Sequence, residues 1–299
     1  MTGHIPGRVL CVGLATLDVL HRVPDFPAPN RKVTATRQDV AAGGPACNAA
    51  VTAAATGSAV TLLTALGDHP LARLIRQELA GFGITVRDCT PDRQLPPAVS
   101  AITVHERTGD RNIVSTDAGG VSARPPADLS ALLAAADVVL IDGHHPDLAG
   151  AAVRASAPVV FDAGRYRPHH DELLAAADVV ICSGDYRLPG QDGRADTLAA
   201  LRGIVRTGAM TAGGEPIVYW DQGLGTGEVA VPRVPVRDTL GAGDALHGAF
   251  ASSVAERGWV AAELAEHLAW AAGVASVRVR YPGPRDWLRH VPRVTEKRQ

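Results

Sequence analysis

The stretch from Asp238 to Phe250 reads Asp-Thr-Leu-Gly-Ala-Gly-Asp-Ala-Leu-His-Gly-Ala-Phe and decides more about the fold than any other part of the chain. The small residues Gly241, Ala242 and Gly243 precede apolar residues at helical spacing, which predicts a glycine-rich loop that opens a helix. The first turn of a helix leaves backbone N–H groups without partners, and the positive end of the helix dipole lies there. The loop is therefore a candidate phosphate site.

Asp244 falls in the first turn of that helix, beside the candidate anion site. A carboxylate next to a phosphate is unfavourable unless it has a chemical task, and one such task is to take the proton from an attacking hydroxyl. A structural explanation is also open, because an aspartate in a first helical turn stabilises the helix by roughly 0.3–1 kcal/mol. The residues alone leave both explanations standing.

The pattern Asp-Thr-Leu-Gly-Ala-Gly-Asp-x-x-x-Gly-Ala resembles the C-terminal signature of the PfkB (ribokinase-like) carbohydrate kinases. Upstream, residues 42–48 read Ala-Gly-Gly-Pro-Ala-Cys-Asn, which resembles the N-terminal Gly-Gly signature of the same family. Two motifs in this order extend the resemblance over nearly the whole chain. It implies ATP-dependent phosphorylation of a sugar hydroxyl, with Asp244 as general base and the backbone of residues 241–243 as anion hole. The implied cofactors are ATP and Mg²⁺, with K⁺ as a further candidate.

Composition narrows the class of protein. The chain has 299 residues and a formal net charge of −2, so we expect no general nucleic-acid binder, which would show a basic face. No apolar stretch reaches the ~18 residues that span a bilayer, and residues 1–8 lack the apolar core of a signal peptide. We therefore expect a cytoplasmic protein. The four cysteines form no Cys-x-x-Cys pair, which argues against a zinc site or a redox pair.

Short apolar strands alternate with helices, which predicts βαβ units and a mostly parallel sheet covered on both faces. With the resemblance, this becomes a ribokinase-like three-layer αβα fold in a single domain over residues 1–299. The predicted strands are 9–13, 60–65, 138–142, 159–161, 179–182 and 217–220, and the predicted helices are 45–56, 71–80, 147–155, 170–177, 194–206, 244–257 and 261–276.

Two stretches, 31–42 and 98–116, alternate polar and apolar residues with period two, which predicts exposed antiparallel strands. In the family, strands of this kind form a small lid over the sugar site. The resemblance therefore assigns about 16–42 and 97–117 to a discontinuous lid. Because exposed strand edges tend to be covered, we also expect a homodimer through the lid strands.

The resemblance places four residues at the sugar. Asp18 would accept hydrogen bonds from hydroxyl groups, and Asn48 can both donate and accept toward vicinal hydroxyls. Gly43 and Gly44 would let the backbone approach the ligand closely. The alternatives are a loop aspartate that caps its own backbone and an ordinary glycine turn before a helix.

The nucleotide would lie on the other side of Asp244. Residues 221–225, with Asp221, Gly223 and Gly225, stand where the family usually has Thr-x-Gly-x-x-Gly, a turn beneath ATP, although an ordinary glycine-rich hairpin explains them as well. Gly273 would admit the adenine or, alternatively, a closely packed helix. Ser183 opens a stretch, Ser-Gly-Asp-Tyr, that replaces the Asn-x-x-Glu found in many members.

That departure, Trp220 and residues 280–284 make the chain look closest to the branch that resembles ketohexokinase and the bacterial sulfofructose kinase. We therefore expect phosphorylation of a primary hydroxyl on a ketose or ketose derivative. The histidine pairs at 144–145 and 169–170 lie on separate loops, so we expect no metal site there. Two alternatives stay open on the same fold: a catalytically weak sugar-binding or regulatory protein, and a nucleoside kinase.

Overall fold

A computed structural model of the chain describes residues 5–294. Residues 1–4 and 295–299, which belong to the predicted N-terminal segment and to the two ends of the predicted domain, lie outside the described residues. The strands are β1 Arg8–Val12, β2 Thr16–Val23, β3 Arg37–Gly43, β4 Ala59–Thr64, β5 Thr85–Asp88, β6 Val99–His105, β7 Arg111–Ser115, β8 Val138–Ile141, β9 Val159–Ala163, β10 Val179–Cys182, β11 Thr207–Ala212, β12 Glu215–Asp221 and β13 Gly225–Val229. The α-helices are α1 Pro45–Thr56, α2 Pro70–Gly81, α3 Leu129–Ala135, α4 Pro146–Ala152, α5 His170–Ala176, α6 Arg194–Ile204, α7 Ala242–Arg257 and α8 Leu264–Arg278, and two short 3₁₀ helices cover Ala261–Glu263 and Leu288–His290.

The larger of two sheets has the strand order β13-β12-β11-β10-β9-β8-β1-β4-β5. Its strands are parallel from β5 through β11, whereas β12 pairs antiparallel with β11 and β13 antiparallel with β12. The carboxyl ends of the parallel strands therefore lie along one edge of the sheet, which we call the carboxyl edge. In open sheets of this kind, ligands bind beyond that edge.

Helices cover both faces of this sheet. Side chains of α1, α2, α7 and α8 pack in one apolar cluster with one face, and side chains of α3, α4, α5 and α6 pack in a second cluster with the other. The central strands β8, β9 and β10 are buried along their whole length, and β8 has the sequence Val-Val-Leu-Ile. This is the pattern of a parallel sheet between two helical layers.

The smaller sheet has the strand order β3-β2-β6-β7 and corresponds to the predicted lid. The prediction of purely antiparallel strands is wrong for one pair, because β2 and β6 run parallel. A parallel pair needs a long crossover connection. Between β2 and β6 the chain forms α1, β4, α2 and β5, which belong to the larger layered unit, and these elements provide the connection. Only the second half of the predicted stretch 31–42 forms a strand, which is β3, Arg37–Gly43. Residues 31–36 are irregular.

The predicted order of strands and helices is found in the structure, with element ends displaced by a few residues. Three strands of the large sheet and one helix were not predicted: β5, β11, β13 and α3. Strand β11, Thr-Gly-Ala-Met-Thr-Ala, carries few apolar residues because Gly208 lies beneath the Trp220 ring, where a Cβ would overlap the indole. The bulk that fills this part of the core comes from the neighbouring strand.

Candidate active site

Polar side chains meet at the carboxyl edge. The carboxylate of Asp142, directly after β8, accepts hydrogen bonds from the backbone N–H groups of Leu14 (2.8 Å), Ala46 (3.1 Å) and His144 (2.9 Å). Burial acts to raise the pKa of Asp142, but the His144 imidazole and these N–H donors outweigh it and hold that pKa below its usual range. Asp142 thus joins the loop after β1 to the start of α1.

The glycine-rich loop opens α7 as predicted from the sequence. Gly241 is the residue before the helix, and its φ of 70° lies in the left-handed region that favours glycine. Among the described residues, no side chain caps this helix end. Within residues 5–294, the N–H groups of Gly241 and Gly243 have no acceptor, whereas that of Ala242 donates to the Thr239 carbonyl at 3.3 Å. The first turn of α7 therefore presents N–H groups to a ligand.

Asp244 and Asn48, which come from the two sequence motifs, touch in the folded protein. The Asn48 amide on α1 donates from Nδ2 to Asp244 Oδ2 at 2.8 Å. Burial and the nearby Asp162 carboxylate raise the pKa of Asp244 to about 6, although the Asn48 hydrogen bond acts in the opposite direction. A carboxylate with this pKa is ionised at neutral pH and is still basic enough to accept a proton.

His247, one turn into α7, was not predicted as a site residue. Its Nδ1 lies 2.8 Å from the Gly243 carbonyl and 3.3 Å from Asp162 Oδ2, and its Nε2 lies 3.1 Å from the Ile181 carbonyl. The ring thereby ties the first turn of α7 to β9 and β10. Its place three positions after Asp244, on the helix face that points into the sheet, is the sequence signal that could have identified it.

Asp18 lies on β2 and is buried at the base of the lid. Its Oδ1 accepts a hydrogen bond from the Thr16 hydroxyl at 2.6 Å, and burial raises its pKa. A Cβ at Gly43 would overlap the Asp18 carboxylate, and a Cβ at Gly44, which has a φ of 92°, would overlap the Leu14 carbonyl. Both glycines are therefore required by contacts within the protein and by backbone conformation, and their close approach to a ligand stays a prediction.

A pocket opens between the lid, α1 and the segment that follows α8. Its wall includes Asp18, Asn48, Gly241, Arg278, Arg285 and Trp287. Both arginines already have carboxylate partners, since Arg285 Nε donates to Glu78 Oε1 at 2.8 Å and Arg278 lies 3.5 Å from Asp238. The pocket therefore offers the Asp18 carboxylate, the Asn48 amide and largely neutralised cations, a set that suits the hydroxyl groups of a polyol.

The structure does not bring Asp221, Gly223 and Gly225 to this site. Because β12 runs antiparallel to β11, Asp221 pairs with Thr207 at the start of β11, on the opposite edge of the sheet. A strand as long as β12 spans roughly 20 Å. The Asp221 carboxylate is also occupied, since it accepts from the Thr207 hydroxyl at 2.6 Å and from the Gly223 N–H at 2.8 Å. The predicted nucleotide turn is therefore corrected to an ordinary hairpin turn.

A different glycine turn lies at the carboxyl edge. Strands β11 and β12 are joined through Gly213 and Gly214, and the neighbouring Gly184 would overlap the Thr211 carbonyl if it carried a Cβ. Thr211-Ala212-Gly213 is a Thr-x-Gly sequence. The start of the Thr-x-Gly-x-x-Gly pattern, which the family resemblance predicts at Asp221 after β12, is therefore found at the end of β11. Ser183 follows β10 next to this turn, and its hydroxyl accepts the Asp185 N–H at 3.2 Å.

Gly273 lies in α8, and beyond its own stretch of helix no atom of the described residues comes within 4 Å of the position that a Cβ would take. Close helix packing, the alternative explanation from the sequence, therefore does not account for this glycine. The side chain of a larger residue would project into open space, which is compatible with the predicted adenine site.

Three of the four histidines in the two pairs have other contacts. His144 lies 3.3 Å from Asp142, His169 Nε2 lies 2.6 Å from the Gly143 carbonyl, and His170 Nδ1 lies 3.3 Å from the Tyr186 hydroxyl. Among the described residues, no group of three or more His, Cys, Asp or Glu side chains is arranged to hold a metal ion. Over the same part of the chain, no helix is both long and apolar enough to cross a membrane.

Comparisons with known proteins bear on the family and the fold. Residues 7–290 match the model of the pfkB family of carbohydrate kinases. The ribokinase of Bacillus subtilis (strain 168) is 27% identical over 263 residues, which cover 83% of this chain and 86% of that protein. A crystal structure from Agrobacterium tumefaciens, assigned provisionally to the ribokinases, is 27% identical with a TM-score of 0.82 and covers 96% of this chain and 95% of its own. Ribokinase of Arabidopsis thaliana, solved with ribose and ATP, is 22% identical with a TM-score of 0.75 over 97% of this chain and 96% of its own.

The ribokinase-like α/β fold expected from the sequence is thereby confirmed. The fold, a large mostly parallel sheet with a second small sheet, is that of a class of phosphotransferases, the kinases with a ribokinase-like fold. The chain belongs to the pfkB family of carbohydrate kinases and is a kinase. These relatives carry ribokinase names, and they do not distinguish the predicted ketohexokinase-like branch.

Proposed function

We propose that the protein transfers the terminal phosphoryl group of ATP to a primary hydroxyl of a small, uncharged sugar. The observation that carries this proposal is the Asn48–Asp244 hydrogen bond of 2.8 Å, because it joins the pocket beneath the lid to the free N–H groups of α7. The sugar lies on the Asn48 side and the phosphate on the helix side. Asp244 stands between them, where an attacking hydroxyl would be.

The chemistry follows from this arrangement. Asp18 and Asn48 hold ring hydroxyls and present the primary hydroxyl to Asp244, which accepts its proton as the oxygen attacks phosphorus. The N–H groups of residues 241–243 receive the negative charge that develops on the transferred phosphoryl oxygens. Gly241 and Gly243 are the stronger candidates, because the Ala242 N–H is directed at Thr239. The ordered lid excludes water, so hydrolysis of ATP without sugar is expected to be slow.

The oxygen donors at the carboxyl edge fit a Mg²⁺ ion that arrives with ATP and keeps several of its waters. Asp185 is exposed in the loop after β10, where the Ser183 hydroxyl holds its backbone, and its carboxylate would contact the ion through water. Bound Mg²⁺ would neutralise charge on the phosphates. K⁺ remains a prediction from the family resemblance.

The charges around the pocket favour an uncharged sugar. Two further basic side chains already have carboxylate partners, since His144 pairs with Asp142 and the exposed Arg165 pairs with Asp117 at 2.8 Å. The arginines in the pocket wall are paired with Glu78 and Asp238. A phosphate or sulfonate on the sugar would have to displace one of these carboxylates.

Of the three sequence features that favour a ketose, the structure leaves two near the pocket or the nucleotide loop. The Trp220 ring is buried in the core and donates to the Val205 carbonyl at 3.0 Å, so it does not bear on the sugar. Pro284, which follows residues 280–283, does lie in the pocket wall, and the Ser183 loop does depart from Asn-x-x-Glu. A ketose thus remains our proposal, and an aldopentose is the competing candidate because the relatives described above carry ribokinase names.

A panel of fructose, tagatose, ribose, fructose phosphates, sulfofructose and adenosine, read by coupled ADP release with Mg²⁺ and K⁺ supplied, tests the proposal. We expect turnover with an uncharged ketose to exceed that with the phosphorylated and sulfonated sugars. Activity confined to aldoses would overturn the ketose assignment alone, and a preference for adenosine would favour a nucleoside kinase. Sugar binding by calorimetry without any ADP release would favour a binding protein instead.

We also propose a homodimer through the lid and a cytoplasmic location. Val40 on β3 and Val114 on β7 lie on the same face of the lid by strand register, and they expose 51% and 74% of their surface, which gives that face uncovered apolar side chains. Light scattering at micromolar concentration should give twice the chain mass, and Val114→Asp should lower it. Ile204→Asp, a matched change on α6, should leave the mass unchanged. A monomeric wild type would exclude the dimer.

A further inference from the structure

Arg285 and Glu78 enclose the peptide that precedes the Gly43-Gly44 turn. The Arg285 guanidinium donates from Nε to Glu78 Oε1 at 2.8 Å and from Nη2 to the Ala42 carbonyl, and it lies 5.9 Å from the centre of the Phe82 ring. The second oxygen of Glu78 accepts the Ala42 N–H at 2.6 Å. Both polar groups of Ala42 are thus bound by one ion pair, whose members come from α2 and from the segment after α8.

A further N–H of Arg285 reaches the active site. Its Nη1 lies 3.3 Å from Asn48 Oδ1, and Asn48 Nδ2 in turn lies 2.8 Å from Asp244 Oδ2. A guanidinium can only donate and an ionised carboxylate can only accept. The Asn48 amide therefore has one favourable orientation, since rotation by 180° would place its oxygen against Asp244 and its NH₂ group against Arg285.

We propose that Arg285, held by Glu78, is a positioning residue that fixes the Asn48 amide so that it donates to Asp244, and that keeps the Gly43-Gly44 turn against Asp18. The inference rests on the proposed function of Asp244 as general base. A direct role in binding an anionic substrate is disfavoured, because Nε, Nη1 and Nη2 of Arg285 each already have an acceptor in the protein.

Other groups that face Asp244 stay in place when Arg285 is changed. They are Asp162 on β9, Asp142 after β8 and His247 on α7 itself. Arg278 is a second cation in the same pocket wall and is paired with Asp238. A change in the titration of Asp244 that follows replacement of Arg285 therefore reports on the Asn48 amide and the lost guanidinium, not on these groups.

The titration can be measured without turnover. Protein labelled with ¹³C at aspartate Cγ, free of nucleotide and sugar, gives the Asp244 resonance, assigned by its loss in Asp244→Asn. In Arg285→Met we expect the midpoint of this titration to rise by roughly one pH unit, the scale of a lost hydrogen bond to a charged group. Arg285→Lys retains the positive charge but lacks the planar set of donors of a guanidinium. Its titration midpoint should therefore lie between those of the wild type and Arg285→Met.

The pH–rate profile gives a second measurement. The acid limb of kcat should move with the same midpoint, so that kcat of Arg285→Met at pH 6 falls by about fivefold and approaches the wild-type value above pH 8. Glu78→Gln should move the midpoint in the same direction by less. Arg73→Met, which removes an arginine from the exposed face of α2, is the matched control and should change neither quantity.

An unchanged Asp244 midpoint in Arg285→Met and Arg285→Lys, with only the KM for sugar raised, would overturn the inference and make Arg285 a substrate contact. If Arg285→Met does not fold, Arg285→Lys and Glu78→Gln decide the same question. A midpoint that moves in a protein that phosphorylates no sugar would support the inference while the proposed function fails.

Discussion

Arg22 on the lid strand β2 donates from Nη2 to the Asp238 carboxylate at 2.9 Å, so the lid is bonded to the loop that leads into α7 and Asp244. The Asp238 side chain is almost fully buried and also accepts the N–H groups of Leu240 (2.9 Å) and Gly283 (3.2 Å). Closure of the lid and the conformation of the anion-binding loop therefore depend on one carboxylate.

Replacement of Asp238 should lower the stability of the protein far more than replacement of its lid partner, Arg22. Asp238→Ala leaves the buried Arg278 without its carboxylate, and we expect the free energy of unfolding to fall by about 3–5 kcal/mol. Arg22→Met should cost only about 1–2 kcal/mol, because Asp238 keeps its other donors, and should raise the KM for sugar by loosening the lid. Urea denaturation and initial rates measure both. Arg31→Met, at an exposed position of the lid loop, is the control, and an equal KM change there would contradict the coupling.

Asp244→Asn should retain the shape of the site and lose the base. General-base catalysis contributes roughly 10²–10⁴-fold, so we expect kcat on the best sugar to fall by that factor. In the wild type, kcat should rise with pH through about 6, because burial and Asp162 raise the pKa of Asp244 to about 6. Initial rates between pH 5 and 9 test both statements. A variant within a few-fold of wild-type kcat would remove Asp244 from the mechanism.

The same substitution should stabilise the folded protein at neutral pH. An unfolded aspartate titrates near about 3.9, so a folded pKa of about 6 means that the native state binds the proton more tightly. This contribution to stability is complete below the unfolded pKa and is lost as pH rises through the folded pKa. An asparagine side chain does not titrate and so avoids this loss, and Asp244→Asn should be more stable than wild type at pH 7.5 by on the order of 1–3 kcal/mol. The difference should vanish as pH falls to about 3, below the unfolded pKa, and a variant less stable at pH 7.5 would exclude the raised pKa.

The fold could be predicted to the extent that its signals are local. Buried strands such as β8 and the small-residue helix after Gly43-Gly44 are encoded by adjacent residues. The nucleotide turn was misplaced because Asp221-Gln-Gly-Leu-Gly and Thr211-Ala-Gly-Gly are both plausible glycine turns in isolation. Only the direction of β12, which the hairpin at Gly213-Gly214 reverses, decides which of them lies beside Ser183.

The residues of the candidate site could be predicted where they lie in or close to a local sequence motif. Asp18, Asn48 and Asp244 were identified because each lies in or near a recognisable pattern, and the structure brings Asn48 and Asp244 into contact. Arg285 was missed because its partners Glu78 and Ala42 lie more than 200 residues away along the chain. No local pattern in the sequence indicates an ion pair of that kind.

Gly273 offers the sharpest test of the predicted adenine site. Because no atom of the described residues beyond its own helix lies within 4 Å of the position of a Cβ, Gly273→Ala should fit without strain and stabilise α8 by about 0.5–1 kcal/mol. If adenine lies against this helix, Gly273→Leu should raise the KM for ATP at least tenfold while the KM for sugar stays near wild type. Gly203→Leu is the matched control, since Gly203 lies in a helix with equally open space around a Cβ, and it should leave the KM for ATP unchanged. Equal KM values for ATP in wild type and Gly273→Leu would place the adenine elsewhere.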